Sequence, residues 1–129
     1  MKLMLDSIIL FGQNISKLKK FYVEILGLEI IEDAESEWVL LNAGACKIGL
    51  HRVGMEHRLD SSEDFKVNSN TKLVFNIDED INEVRNRLLK AKVFVKEIKT
   101  FKNYDFWICD GEDPEGNVFQ LKQKKNNEH

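Results

Sequence analysis

The chain carries the same succession of helix and strand signals twice. Three apolar helix positions recur in the second half at one constant separation, a strand that begins with tryptophan recurs at a slightly larger separation, and an apolar strand recurs at a larger one still. The alignment pairs Ile15, Leu18 and Tyr22 with Ile81, Val84 and Leu88, Trp38-Val39 with Trp107-Ile108, and residues 48–50 with residues 119–121. The drift between these separations fits small loop insertions, so we expect a duplicated unit of roughly 60 residues.

Each copy reads as one strand, one helix and three strands. In the first copy the alternating and apolar patterns predict strands at 3–11, 28–31, 38–42 and 46–53. Asn14 is a suitable N-cap for the helix, and Gly27 supplies its left-handed stop. In the second copy strands are predicted at 71–77, 93–98, 104–110 and 117–123. Asp80 is the expected N-cap of the second helix, with Glu83 completing a capping box.

This order predicts an α+β fold made of two tandem βαβββ modules. The single domain spans 1–129, with module one at 3–53, an exposed connector at 54–70 and module two at 71–123. A sheet with one helix can cover only one of its faces. We therefore expect a curved mixed β-sheet with the helices packed outside and an uncovered cleft shared by the modules. The polar tail at 122–129 is expected to fray.

The last two predicted strands are joined by the turn Asp113-Pro114-Glu115-Gly116. Proline presets the φ angle that the first central position of a turn requires, and an aspartate before it accepts hydrogen bonds from nearby backbone N–H groups. Gly116 permits the positive φ that reverses the chain. The stretch predicts a hairpin that carries Gln120 on its second strand.

Composition limits the classes of function. Apolar residues make up 43% and charged residues 32% of the 129 residues, which is typical of a globular domain. A net charge of −3 gives no broad electrostatic reason to expect nucleic acid, and no apolar run is long enough to span a membrane. Cys46 and Cys109 lack metal-type spacing and are not preceded by an export signal. We expect a cytoplasmic protein with two reduced thiols.

The predicted topology directs a small set of side chains into the cleft. On the first strand these are Ser7 and its same-face neighbours Leu5, Ile9 and Phe11. The last strand of module one contributes Gly49 and His51. By symmetry, module two contributes Lys72 (or Leu73) and Gln120.

The sequence resembles the vicinal oxygen chelate superfamily, which includes glyoxalase I, bleomycin-resistance protein, fosfomycin-resistance enzymes and extradiol dioxygenases. The resemblance spans residues 3–122. The residues that carry it are Asn14 placed seven positions after Ser7, the helix exit Phe21-Tyr22 to Leu26-Gly27-Leu28, and Asp113-Pro114-Glu115-Gly116-Asn117 leading to Gln120-Leu121.

The resemblance implies a metal site that this sequence only partly matches. In the catalytic members His, Glu or Gln at four cleft positions hold one divalent metal, and those positions correspond here to Ser7, Gly49, Lys72 and Gln120. Only Gln120 is a suitable ligand. His51 lies two residues beyond Gly49 on the same face, so a displaced site of His51 and Gln120 is conceivable. Two ligands are fewer than the three or so that metal catalysis requires, so we expect no cofactor, with a divalent metal at His51 and Gln120 as the alternative.

The sequence does not decide the roles of several other residues near the predicted cleft. Trp38 and Trp107, paired by the repeat, are either core or dimer-contact residues or rings that stack on a planar ligand. His51 beside Arg52, with Lys72, is either an ordinary surface group or positive charge for a carboxylate or phosphate. Asp110 precedes the turn and is either a cap for that turn or an acid/base group.

These observations predict a protein that binds a small, aromatic or anionic molecule in the cleft between the modules without the usual metal, as bleomycin-resistance proteins do. The expected cleft residues are Ser7, Phe11, Trp38, His51, Lys72, Trp107 and Gln120. One alternative is a metal-dependent glyoxalase-like lyase or dioxygenase that uses His51 and Gln120. A second is a non-catalytic structural or regulatory module. The resemblance also implies a homodimer, and neither nucleic acid nor a membrane is expected as a partner.

Overall fold

The computed structural model describes residues 1–2, 4–59, 66–68 and 70–126. The chain divides into two compact units, Met1–Phe65 (unit 1) and Lys66–His129 (unit 2). Part of the predicted connector, at 60–65 and 69, and the end of the predicted tail, at 127–129, lie outside the described residues. No helix within the described ranges is long and apolar enough to cross a membrane. Each unit contains one sheet and one helical segment, which confirms the α+β class.

Unit 1 is a four-stranded mixed sheet backed by a helix. Its elements are β1 (Ser7–Gly12), α1 (Ile15–Lys19) with a π-helical continuation (Lys20–Ile25), β2 (Glu29–Asp33), β3 (Trp38–Asn42) and β4 (Lys47–Arg52), followed by a 3₁₀ turn at Met55–His57. The strand order is β1-β4-β3-β2, with β1 and β4 parallel and the other pairs antiparallel. The strand predicted from residue 3 begins at Ser7, and the preceding Met4 and Leu5 are exposed.

The helical segment of unit 1 begins and ends where its sequence predicts. The Asn14 side chain accepts a hydrogen bond from the backbone N–H of Lys17 at 3.0 Å, and Gly27 has a φ of +81°. The widened π-helical turn buries both Phe21 and Tyr22, whose rings meet edge to face at 4.9 Å. α1 packs against β3 and β4, so this side of the sheet forms the core of unit 1.

Unit 2 is a three-stranded mixed sheet backed by α2. Its elements are β5 (Lys72–Asn76), α2 (Ile81–Lys90), β6 (Phe106–Glu112) and β7 (Val118–Lys124). The order is β5-β7-β6, with β5 and β7 parallel and β6 and β7 antiparallel. The Asp80 side chain accepts a hydrogen bond from the N–H of Asn82 at 3.1 Å and caps α2 as predicted. α2 packs on β6 and β7.

The strand predicted at 93–98 is wrong. The segment forms no continuous ladder with β6 and pairs with it at two isolated bridges, Val95 with Gly111 and Lys99 with Ile108. Between these bridges the segment advances four residues while β6 advances three, so it contains one extra residue. A bulge of this kind leaves a residue unpaired and interrupts the ladder. Local apolar character predicted extended chain here, but the register that makes a strand is set by β6.

The predicted turn between the last two strands is confirmed. Asp113 is 2% exposed, and its Oδ1 accepts hydrogen bonds from the backbone N–H groups of Glu115 and Asn117, both at 2.9 Å. Its Oδ2 accepts one from the Asn117 side chain at 2.7 Å. Gly116 has a φ of +87°. The turn fixes β6 against β7 and thereby sets which side chains lie beside Gln120.

Candidate functional site

The sheet of unit 1 has one face that its helix does not cover, which we call the open face of unit 1. Alternation along β1 places Ser7, Ile9 and Phe11 on this face. Ser7 is half-buried, whereas Ile9 and Phe11 are 44% and 57% exposed. The opposite face carries Leu10 and other buried side chains that pack against the helix. Unit 1 therefore presents apolar side chains to its surroundings on a rigid strand.

Three rings form a row across three neighbouring strands of this open face. His51 on β4 is the register partner of Phe11 on β1 and of Trp38 on β3. The ring centroids of Phe11 and His51 are 5.4 Å apart, and those of Trp38 and His51 are 5.9 Å apart. We call these residues the aromatic row. Three of the residues expected from the sequence are thus brought together on one surface.

A backbone contact determines how the histidine of the aromatic row can hydrogen-bond. His51 Nδ1 lies 2.7 Å from the carbonyl oxygen of Arg52. Since a carbonyl oxygen only accepts, Nδ1 is the donor in this contact. In the neutral ring Nε2 then carries the lone pair and can accept a hydrogen bond from a ligand.

Trp38 also accounts for the glycine at position 49. A Cβ atom built on Gly49 would lie 2.8 Å from Cζ3 of Trp38 and 3.3 Å from Cγ1 of Ile9. The first distance is too short for real carbon atoms, so the indole already occupies the space that a side chain would need. Position 49 is one of the four that the family resemblance assigns to the metal. In this chain position 49 lies directly beneath the Trp38 ring.

In unit 2 a largely covered carboxylate, that of Asp110, joins two of the residues expected from the sequence. The ammonium group of Lys72 lies 2.8 Å from Oδ2 of Asp110, and the side-chain amide of Gln120 donates to Oδ1 at 2.9 Å. Asp110 and Gln120 are register partners on β6 and β7. The side chain of Asp110 is 12% exposed, whereas that of Lys72 is 43% exposed. The three side chains form one hydrogen-bonded cluster.

The surroundings of Asp110 keep it ionised. Burial raises the pKa of Asp110. Hydrogen bonds from Lys72 and Gln120, together with the positive charges of Lys72 and Lys99, lower it by more, so the net shift of the pKa is downward. A carboxylate with a lowered pKa is a weak base near neutral pH. Asp110 is also not a cap of the following turn, because Asp113 caps it. Sequence reasoning missed its role as the acceptor that holds Lys72 and Gln120.

Trp107 does not take the place in unit 2 that Trp38 takes in unit 1. Leu40 pairs with Gly49 in unit 1, and Asp110 pairs with Gln120 in unit 2, so the position equivalent to Trp38 is Ile108. The alignment of the two tryptophans is therefore off by one residue. Because side chains alternate along a strand, Trp107 points away from the face that carries Gln120. Its ring lies 5.0 Å from the ammonium group of Lys125.

The donor groups do not fit the divalent metal that the superfamily resemblance implies. Gly49 offers no ligand, Lys72 places an ammonium group beside Asp110, and the Gln120 amide donates to the same carboxylate. Within the ranges that the structure describes, no group of three or more His, Cys, Asp or Glu side chains could hold a metal ion. These residues therefore do not form the donor set that a divalent metal needs.

Solved structures with the same fold cover nearly the whole chain. A virulence protein of Salmonella typhimurium, STM3117, is 26% identical over 96% of this chain and 98% of its own, with a TM-score of 0.70. The antibiotic-binding protein TnmS3 of Streptomyces sp. CB03234 is 20% identical over 96% and 98%, with a TM-score of 0.71. Lactoylglutathione lyase of Agrobacterium tumefaciens is 17% identical over 92% of each chain, with a TM-score of 0.72.

Comparison by sequence gives two further results, one negative and one positive. None of the curated proteins matches the chain. The profile of the Glyoxalase/Bleomycin resistance protein/Dioxygenase superfamily matches residues 4–121, which include both helices and every strand except the last three residues of β7. The fold and this match agree with the resemblance found in the motifs. The chain belongs to the glyoxalase/bleomycin resistance protein/dioxygenase superfamily.

Proposed function

We propose that the protein binds a small planar molecule on the open face of unit 1, and that binding does not use the divalent metal of the catalytic members of the superfamily. The aromatic row carries this proposal. Phe11 is 57% exposed, and the His51 ring lies between those of Phe11 and Trp38, at the distance of a stacked or edge-to-face pair from each. A flat apolar ligand that covers such a surface removes ring area from water, and each Å² of that area contributes about 25 cal/mol to the binding free energy.

The aromatic row also offers the polar contact that gives a ligand its orientation. Small-molecule sites are largely apolar with a few placed polar groups. In the neutral ring of His51 the donor Nδ1 is engaged by the Arg52 carbonyl, so Nε2 is the acceptor that remains. The ligand favoured by this arrangement has a flat ring and one hydrogen-bond donor at its edge. The superfamily includes bleomycin-resistance proteins, so planar antibiotics belong among the compounds tested.

Intrinsic fluorescence tests the proposal directly, because the chain has two tryptophans. The Trp107→Phe variant leaves Trp38 as the reporter, and Trp38→Phe leaves Trp107. A library of planar heteroaromatic compounds and antibiotics is titrated against both. We expect saturable quenching in Trp107→Phe that is absent from Trp38→Phe and weakened by Phe11→Ala. A broad library that quenches neither variant, or quenches both equally, would contradict binding at the aromatic row.

Metal content separates this proposal from the lyase or dioxygenase alternative. The protein is purified without chelator and its Zn, Ni, Fe and Mn contents are measured, alongside those of His51→Ala. We expect substoichiometric metal in both proteins. A stoichiometric metal that disappears in His51→Ala would support an enzyme with a rearranged site and overturn the metal-independent proposal.

A further inference from the structure

Unit 2 carries a second aromatic surface, on the same face of the sheet as Asp110 and Gln120 but toward the beginning of β6. Three rings follow one another at its edge: Phe101 and Tyr104 have centroids 5.9 Å apart, and Tyr104 and Phe106 are 5.6 Å apart. Phe101 is 56% exposed, and the other two are half-buried. The hydroxyl of Thr100 donates to the carbonyl oxygen of Phe106 at 2.7 Å and ties the loop that carries Phe101 to β6. The rings therefore stand on a fixed backbone.

Two ammonium groups lie over this row of rings. Nζ of Lys122 is 4.1 Å from the centroid of Phe106, and Nζ of Lys99 is 5.8 Å from the centroid of Phe101. Lys99 and Lys122 are both register partners of Ile108, one on each side of β6. The five residues Lys99, Phe101, Tyr104, Phe106 and Lys122 form what we call the aromatic–lysine strip.

Among the described residues, the two ammonium groups of the strip are not held in close ion pairs, although the charge of Lys99 also acts on Asp110. In the part of the chain that the structure describes, neither ammonium group forms an ion pair with a carboxylate. Asp110, which lies on the same face of β6, is hydrogen-bonded to Lys72 and Gln120. A lysine over a ring keeps N–H donors for an anion, and the cation–π contact holds it in place. The strip thus combines flat apolar surface with two positioned positive charges.

We infer that the aromatic–lysine strip is a binding site for a small aromatic anion, whose ring stacks beside Tyr104 and Phe106 and whose carboxylate or sulfonate contacts Lys99 or Lys122. Charge complementarity selects an anion, and the row of rings selects an aromatic one. The whole chain carries a net charge of −3, which opposes a long polyanion more than a ligand with a single charge. The inference does not depend on the aromatic row of unit 1.

The test uses the full chain labelled with ¹⁵N and two probes of the same shape, 2-naphthoate and the neutral 2-naphthamide. All amide shifts are followed during each titration, and those of residues 99–108 and 120–124 report on the strip. We expect saturable shifts there with 2-naphthoate and an affinity about five- to tenfold weaker for 2-naphthamide, the equivalent of one to two exposed ion pairs. Because the two probes are compared on the native protein, this arm does not require any variant to fold.

Matched lysine variants locate the charge contact. Lys122→Gln and Lys99→Gln should each weaken 2-naphthoate binding about two- to fivefold and leave 2-naphthamide unchanged. Lys125→Gln is the control, because Lys125 also lies over a ring, that of Trp107, but Trp107 points away from the face that carries Phe106. Phe106→Leu should weaken both probes. Equal effects of the Lys125 and Lys122 variants would contradict the site.

The remaining outcomes separate this site from the proposed function. Equal affinity for the two probes would overturn the inference, since the lysines would then contribute nothing. Shifts confined to the amides around Phe11, Trp38 and His51 would overturn it while supporting the aromatic row of unit 1. A single-stranded dT12 oligonucleotide that shifts the strip while 2-naphthoate does not would assign the surface to a polyanion and equally overturn it.

Discussion

The six-membered ring of Trp38 fills the space above the Cα atom of Gly49, at the point where a side chain of residue 49 would begin. The two residues lie on neighbouring strands, β3 and β4. The Trp38 ring therefore leaves no room for a side chain at position 49. This relationship gives the open face of unit 1 a flat aromatic floor.

Gly49→Ala should destabilise unit 1 by about 1–3 kcal/mol, because the added methyl group overlaps Trp38 and forces it to shift. Urea unfolding measures the change. Gly54→Ala is the control, since its added methyl meets only the flexible side chain of Glu56. In a Trp38→Ala background the cost of Gly49→Ala should largely disappear. Additive effects of the two substitutions would show that the ring does not exclude the side chain.

Asp110→Asn should lower the free energy of unfolding at pH 7 by about 1–3 kcal/mol, because the variant loses a charged acceptor that two side chains share. The folded pKa of Asp110 lies below its unfolded value of about 3.9. Its contribution is therefore present above about pH 4 and is lost as the pH falls through the lowered folded pKa.

Unfolding curves at several pH values check this prediction. The stability difference between the native protein and Asp110→Asn should be largest near pH 7 and should shrink below pH 4. Asp105→Asn makes the same chemical change just before β6 and should have little effect. A difference that is constant from pH 3 to pH 7 would mean that the charge of Asp110 does not stabilise the fold.

Asp113→Ala should cost about 1–3 kcal/mol, because the turn loses the acceptor of two backbone N–H groups and one side-chain amide. Asp113→Asn keeps one carbonyl oxygen for the backbone donors and should cost less. Chemical denaturation gives both values. If the two variants are equally unstable, the negative charge rather than the acceptor geometry holds the turn.

Treatment with EDTA should leave the unfolding temperature unchanged, because the residues at the four metal positions of the superfamily do not provide a donor set. Differential scanning calorimetry before and after dialysis against EDTA measures this. A structural ion present at 100 times its Kd would stabilise the fold by about 2.7 kcal/mol, which is several degrees in a domain of this size. A fall of that magnitude would contradict a metal-independent site.

The parts of the fold that depend on local chemistry could be predicted from the sequence. Asn14, Asp80 and Gly116 each act through backbone groups within a few residues, so capping and turn rules locate them correctly. The βαβββ order of unit 1 follows from such local signals. Apart from the segment at 93–98, which forms no strand, the observed strands differ from the predicted ones mainly at their ends.

The errors arise where pairing between distant strands decides the outcome. Trp107 was aligned with Trp38 because both residues begin an apolar run, yet the register with β7 places Ile108 in the equivalent position. A shift of one residue moves a side chain to the other face of a sheet. The role of Asp110 was missed for the same reason, since Lys72 and Gln120 become its partners only when three strands are side by side.

The extra residue between Lys96 and Lys99 determines on which face of the sheet the Lys99 ammonium group lies. Val95 lies opposite Gly111, and uninterrupted pairing from there would bring Lys99 opposite Trp107. The bulge brings it opposite Ile108 instead, on the face of the sheet that carries Phe106 and Lys122. Deletion of Glu97 would remove the extra residue and still leave Lys99 opposite Ile108, because the segment would then advance three residues where β6 advances three. A one-residue slip in the pairing of this segment, with no change in its composition, is what would carry this positive charge to the opposite face of the sheet.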